Sequence, residues 1–261
     1  LKSIGLTSLL GIGYSLLGAF LIVPPLVKRA LIPIELPAED FRAGSPRHQQ
    51  RVRLRYRHID AFPRVFARFK MRLDPMFPRL AEFLRAPRRI IDIGCGYGVP
   101  SVWILELFPS AMVFGIDPDE ERVRVAQRAL GSRGEMRTGR APQLEDLPGE
   151  ADTALILDVI HMLSDEELMK TLDILRAKLL PGGRLIIRAT IPAGRPRSWM
   201  GRLEELRLKS HRLRPHYRTL DGLKALIVVA GFHVEEIRRA APVSEEFWFV
   251  AVGGRKDIPR D

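Results

Sequence analysis

From Arg88 to Gly254, short apolar runs alternate with stretches of helical periodicity, and this alternation constrains the fold more than any other feature of the chain. Apolar runs near 89–93, 112–116, 134–138, 152–157, 183–189, 232–238 and 244–252 read as strands. Stretches near 99–108, 119–130, 165–179 and 220–230 read as the helices between them. Strands separated by helices favour a parallel sheet with crossover connections, hence an α/β fold. Local signals agree. Ser164 with Glu167 three residues later forms a capping box ahead of "LMKTLDILRAKLL". Pro181, Gly182 and Gly183 break that helix before the next strand, and Gly231 ends the helix over 220–230.

The first strand runs into "RIIDIGCGYGVPS", residues 89–101. Its glycines, Gly94, Gly96 and Gly98, form G-x-G-x-G. A dinucleotide fingerprint requires a glycine where Val99 stands, and a P-loop requires Lys-Ser/Thr after the turn, which is missing. A tight glycine turn of this kind lets backbone approach a bound nucleoside without a diphosphate. The second strand, "MVFGID", ends in Asp117. A carboxylate at the tip of the neighbouring strand can accept hydrogen bonds from both ribose hydroxyls.

Five ordered stretches together resemble the class I S-adenosylmethionine-dependent methyltransferases. "IIDIGCGYG" is similar to the family's first motif and "VFGIDPD" to the acidic end of its second strand. "ADTALILDVIHML" resembles the fourth strand and its active-site edge, "LLPGGRLIIR" the turn into the fifth, and "AGFHVEEIRRAAPVSEEFWFVAVGG" the closing hairpin. The similarity covers roughly residues 87 to 254. It implies a Rossmann-like, mostly parallel seven-stranded sheet with helices on both faces, and S-adenosylmethionine as cofactor. It also implies that Asp92, Gly94, Cys95, Gly96 and Gly98 line the amino-acid and ribose part of the cofactor. Asp117 would bind the ribose hydroxyls and Pro118 flank the adenine. Where the family often has an acidic residue after the third strand, "GRAPQLEDLP" has Arg140, so the adenine contact falls to backbone at Ala141. Asp158 and His161 end the fourth strand, on the side of the transferred methyl, as the candidate catalytic residues, and Asp158 would also contact the cofactor. His161 reads either as a general base or as a residue packed on the helix that Ser164 begins. Asp92 reads alternatively as a turn cap, and Cys95 as a small residue that permits close approach. No metal-binding constellation is present in the sequence, and the lone cysteine excludes an internal disulfide.

The N-terminal part differs in kind. Ser3 to Val27 contains no charged residue and ends at Pro24 and Pro25, with Lys28 and Arg29 following. Such a stretch is long enough to cross a bilayer, and the positive-inside bias puts everything after it in the cytoplasm. A buried core helix is the rival reading; a secretory signal would be shorter and carry a small-x-small cleavage site. "GLTSLLGIGYSLLGAFLIVPPLVKRAL" resembles the last transmembrane helix of RND-superfamily (MMPL-type) exporters, which implies the end of a longer exporter fused to a soluble domain.

The expected organisation is a transmembrane helix over 1–31, a basic juxtamembrane helical segment or cap over 32–87, the cofactor-binding domain over 88–254 and a tail over 255–261. Between Phe41 and Ile90 stand 14 Lys/Arg against Asp60, Asp74 and Glu82, which equals the whole chain's net charge of +11. Phe62, Phe66, Phe69 and Leu73 recur at helical spacing, with Arg64, Arg68 and Arg72 on other faces. A basic amphipathic helix beside a span reads as a contact with anionic headgroups, or as a solvated cap over the catalytic domain. No nucleic-acid-binding module is recognisable, so lipid is the expected partner rather than nucleic acid. A second basic stretch, 191–218, carries Trp199 and Tyr217 and lies where this fold adds substrate-facing structure. These features point to a methyltransferase at the inner membrane with its catalytic domain on the cytoplasmic side. Its expected acceptor is small and amphiphilic or lipid-linked; a cofactor-binding accessory domain of a transporter that has lost its chemistry is the alternative.

Overall fold

The structure is a computed structural model and describes residues 41–192, 215–242 and 244–253. The expected span over 1–31, the tail and most of the second basic stretch lie outside these residues. Among the described residues no helix is long and apolar enough to cross a membrane.

Three helices precede the sheet: α1 (Pro46–Arg55), α2 (Ala61–Leu73) and α3 (Met76–Phe83). The strands are β1 (Arg89–Ile93), β2 (Met112–Asp117), β3 (Gly134–Thr138), β4 (Ala151–Leu157), β5 (Leu179–Thr190), β6 (Phe232–Arg239) and β7 (Glu246–Gly253). Four helices connect them: α4 (Val99–Leu107), α5 (Glu120–Leu130), α6 (Asp165–Lys178) and α7 (Leu220–Val229). The strands order as β3-β2-β1-β4-β5-β7-β6, and only β7 runs against its neighbours. This is a doubly wound, Rossmann-like sheet. Its strand order reverses between β1 and β4, and in such sheets ligands bind in the crevice outside the carboxyl ends at that point.

The sheet is buried on both faces. α4 and α5 cover one face together with α1–α3, and α6 and α7 cover the other. β1 shows why: Ile90, Ile91 and Ile93 are fully buried, as the centre of a parallel sheet requires. The capping box forms as expected, Ser164 Oγ accepting from Glu167 N and the Glu167 carboxylate accepting from Ser164 N. One boundary differs from the expectation. Pro181–Gly183 does not precede β5 but bulges within it, between the Ala151–Leu179 and Thr153–Arg184 pairs. Chain break and strand pairing are compatible there because a bulge leaves its extra residues outside the ladder.

Within the cap, α2 is packed through residues other than its phenylalanines. α2 buries Pro63, Ala67 and Met71, four residues apart on one face. Its aromatic face points away from that contact. Polar contacts with α4 help join the cap to the sheet domain. Glu106 of α4 is buried and accepts from Arg51 (2.8 Å), Arg55 (2.7 Å) and Arg133 (3.2 Å). Burial alone would raise the Glu106 carboxyl, but Arg55 and Arg51 hold it below the usual carboxylate range. His48 is fully buried, with Nδ1 accepting from Gly44 N (3.0 Å) and Nε2 donating to the Trp103 carbonyl (2.9 Å).

Candidate active site

The site is built from loops at the carboxyl ends of β1, β2, β3 and β4. After β1 the chain turns sharply, and Gly94 N and Cys95 N both donate to the Ile116 carbonyl (2.8 and 3.0 Å), tying the turn to β2. Gly94 has φ +76°, and a Cβ there would sit 2.3 Å from Val159 Cγ2, so only glycine fits. Gly98 is required for another reason. It has φ +74° at the start of α4, and a Cβ would meet Ala126 and Leu130 of α5 at 2.9 Å. Gly98 therefore serves helix packing and does not line the cavity described below.

Asp117 organises the loop as well as facing it. Its Oδ2 accepts from Gly96 N (2.9 Å) and its Oδ1 from Asp119 N (3.0 Å). Asp119 in turn caps α5 by accepting from Arg122 N. Asp92, buried at the end of β1, accepts from the Ser101 hydroxyl of α4. Burial pushes its carboxyl up to about 6, against the Ser101 hydrogen bond and with help from Asp117. Cys95 is buried as well; burial and the carboxylates of Asp92 and Asp117 drive its thiol upward. It stays protonated at neutral pH and acts as a small wall residue, not a nucleophile.

Opposite this loop, Asp158 follows β4 in the left-handed region (φ +60°), which few non-glycine residues adopt. It is held there by a buried charge network. Arg188 of β5 donates through one terminal nitrogen to Asp158 Oδ2 (2.8 Å) and Asp74 Oδ2 (3.0 Å), and Lys70 Nζ also donates to Asp74 Oδ2 (3.0 Å). Burial raises the Asp158 carboxyl, opposed by Arg188. Burial works the same way on Asp74, yet Arg188 and Lys70 hold it below its usual value. His161 lies in the short helical turn Ile160–Met162 and stacks on Tyr217, ring centroids 5.7 Å apart at 13°. Arg218 clamps that turn by donating to the Ile160 and Leu163 carbonyls.

These loops enclose one cavity of about 1110 Å³. Asp92, Gly94, Cys95 and Gly96 line it from the first loop, and Asp117 and Pro118 from the second. Ala141 borders it beside Arg140, and Asp158 and His161 close the β4 side. Every candidate site residue from the sequence except Gly98 thus meets in one place. A Cβ on Gly96 would encounter no atom within 4 Å, so backbone there faces open space that a ligand can fill. The volume exceeds the usual range for one drug-sized ligand, leaving room for a cofactor and an acceptor.

Sequence reasoning missed the wall that the cap supplies. Phe62, Phe66 and Lys70 of α2 line the same cavity, and both phenylalanines meet the Tyr97 ring edge-on, at 6.1 and 5.2 Å. Tyr56 of the cap donates its hydroxyl to the Tyr97 carbonyl (2.9 Å), so cap and glycine loop are directly joined. Arg188 and Asp74 were also missed. A faint signal existed: an arginine inside the apolar run "LIIRA" must find a buried partner.

Residues 90–183 match the family described as "Methyltransferase domain". A malonyl-[acyl-carrier protein] O-methyltransferase of Legionella pneumophila is 32% identical over 111 residues, covering 41% of this chain and 39% of the relative. The chain thus spans less than half the length of these curated relatives, from 28% to 46% for three of them. Among solved structures, the pyocyanin biosynthetic protein PhzM superposes with a TM-score of 0.56 at 27% identity, over 77% of this chain and 60% of that one. Human N-acetylserotonin methyltransferase in complex with SAM gives a TM-score of 0.56 at 16% identity, over 84% and 60% of the two chains, a likeness of fold alone. The fold is the Rossmann-like methyltransferase fold with its mostly parallel seven-stranded sheet.

Proposed function

We propose that this chain is an S-adenosylmethionine-dependent methyltransferase acting on a small amphiphilic or lipid-linked acceptor, held by residues 1–31 on the cytoplasmic side of the inner membrane. The observation that carries the enzymatic reading is the pairing of the open glycine turn with the Asp117 carboxylate across it, 2.9 Å from Gly96 N. Asp117 would offer its remaining lone pairs to the ribose hydroxyls, Ala141 and Pro118 would border the adenine, and Asp92 would supply negative charge for a cationic amino-acid end. When bound, the cofactor supplies an electrophilic methyl on a sulfonium. The protein's part is to orient the acceptor and exclude water, which accounts for most of the acceleration in such a displacement. Phe62, Phe66 and Tyr97 offer an apolar aromatic wall for the acceptor's body. His161 or Asp158 takes the acceptor's proton where it has one. The uncharged stretch Ser3–Val27 supports the membrane anchor.

Two expectations test this reading. Asp92 carries its negative charge above about pH 6 and loses it below. Affinity for the cationic cofactor therefore rises with pH through that value and falls towards tenfold per unit beneath it. Calorimetric titrations between pH 5 and 8 should show this slope, and Asp92→Asn should flatten it. A profile equally steep in Asp92→Asn removes Asp92 from the site.

His161 is tested by turnover. With a membrane extract as acceptor source, the chain should release S-adenosylhomocysteine, and His161→Ala should slow release by about 10²- to 10⁴-fold with cofactor affinity unchanged. A full rate in a folded His161→Ala variant ends its role as base. Tight cofactor binding without any release, across acceptor extracts, would instead favour an accessory domain without chemistry.

A further inference from the structure

The outer surface of the cap combines two features that globular surfaces seldom leave uncovered. The first is apolar. Along α2, Phe62, Phe69 and Leu73 are 67%, 52% and 71% exposed, with Val65 and Phe66 also exposed beside them. Contiguous exposure of this kind marks an interaction site more often than it marks ordinary surface. The buried residues Pro63, Ala67 and Met71 occupy the far side of the helix, so the stripe cannot turn inward without unpacking the cap.

The second feature is charge. Arg64, Arg68 and Arg72 follow at four-residue intervals along one flank of the stripe. None of the three has a carboxylate within ion-pairing distance among the described residues. Arg53 of α1 reaches the same flank, and its guanidinium is depressed by burial and then by Arg68 and Arg72. Its polar partner is Gln49, which is neutral. By contrast, Arg51, Arg55 and Arg133 each pair with the buried Glu106 carboxylate. The outer cluster is therefore a set of mutually repelling cations awaiting an external anion.

We infer that the α1–α2 face docks on an anionic bilayer, with Phe69, Leu73 and Val65 entering the headgroup–acyl boundary and Arg53, Arg68 and Arg72 meeting lipid phosphates. Charge complementarity selects this occupant, and the adjoining aromatic stripe suits a surface that is apolar beneath a layer of anions. Continuity with the cavity gives docking its consequence. Phe62 and Phe66 belong both to the stripe and to the cavity wall, so the lip of the cavity lies at the membrane surface. An amphiphilic acceptor then enters along the helix without leaving the interface. This consequence rests on the methyltransferase reading; the docking itself does not.

The test uses the full 261-residue chain. A polarity-sensitive nitrobenzoxadiazole group is placed on Phe69→Cys, with Val229→Cys on the exposed face of α7 as the control; the native Cys95 is buried and protonated. Phosphatidylglycerol–phosphatidylcholine vesicles should shift the Phe69→Cys emission to the blue and leave Val229→Cys unchanged. Pure phosphatidylcholine should do neither. Arg53→Gln, Arg68→Gln and Arg72→Gln together should weaken docking by roughly fivefold per arginine. Emission at Phe69→Cys that is indifferent to anionic lipid overturns the inference. So does salt-sensitive binding of duplex DNA that the triple variant abolishes without any shift at Phe69→Cys. Calorimetry with S-adenosylhomocysteine, unchanged in the triple variant, keeps the cofactor reading separate from this outcome.

Discussion

Asp117→Ala should lower affinity for S-adenosylmethionine by about 10²- to 10³-fold, the largest loss of binding from any single substitution in the site. The carboxylate has two duties. It faces the cavity, where two ribose hydroxyls can donate to it, and charge-assisted hydrogen bonds of this type contribute ~1.5–3 kcal/mol each. It also accepts from Gly96 N and Asp119 N, which fixes the open side of the glycine turn. Alanine removes both duties, so loosening of the turn adds to the lost contacts. Asp117→Asn keeps one acceptor oxygen and should fall between the parent and Asp117→Ala. Calorimetric titration with S-adenosylhomocysteine, alongside circular dichroism to confirm folding, gives the comparison. Equal affinity in folded Asp117→Ala would exclude the residue from the site.

The largest stability effect is expected at Arg188. Its side chain is 6% exposed and links Asp74 (15%) to Asp158 (35%), and so joins the cap to β4 and β5. Arg188→Met leaves two carboxylates facing each other with only Lys70 as counter-charge. Removing one member of a buried pair costs roughly 3–5 kcal/mol, mostly because the other charge stays buried. Asp158 is more than a third exposed and can recover water, so the lower end of that range is expected here.

The sign with pH follows from Asp74. In the parent, Arg188 and Lys70 hold its carboxyl low, so this pair stabilises the fold at neutral pH and the contribution fades as acid protonates Asp74. In Arg188→Met the buried carboxylates oppose folding until they are protonated. The gap between parent and variant should therefore narrow in urea melts as pH falls from 7 towards 4. The parent's own Asp74 contribution is lost only at lower pH, because its carboxyl is held below the usual value. A gap that stays constant across this range would show that Arg188 acts by packing on Trp248, 5.9 Å away, rather than by charge.

Strand positions, helix positions and the glycine turn were legible because each rests on short-range chemistry. β1 and β3 fall at their expected bounds, and the Ser164–Glu167 cap forms as the spacing implied. The site was legible through the motifs at strand ends, since topology brings those ends together. What the sequence hid depends on contacts between distant segments. Nothing local distinguishes Gly98, which packs on α5, from Gly94 and Gly96, which face the cavity. Periodicity grouped Phe62 and Phe66 with Phe69 and Leu73 as one apolar face, and such a face ordinarily packs inward. Here the inward face belongs to Pro63, Ala67 and Met71, and the aromatic face is divided between cavity wall and open surface. The Arg188–Asp74 pair spans 114 residues, beyond any spacing rule.

The central claim is that the loops after β1, β2, β3 and β4 form a nucleoside-sulfonium site and not a dinucleotide or phosphate site. Titration of the full chain with S-adenosylhomocysteine and, separately, with NAD at pH 7.5 tests it most directly. Saturable binding of S-adenosylhomocysteine, one molecule per chain, weakened in Asp117→Ala and accompanied by no response to NAD, is the expected result. Saturable binding of NAD, or no saturable heat from S-adenosylhomocysteine with a folded chain, would contradict it.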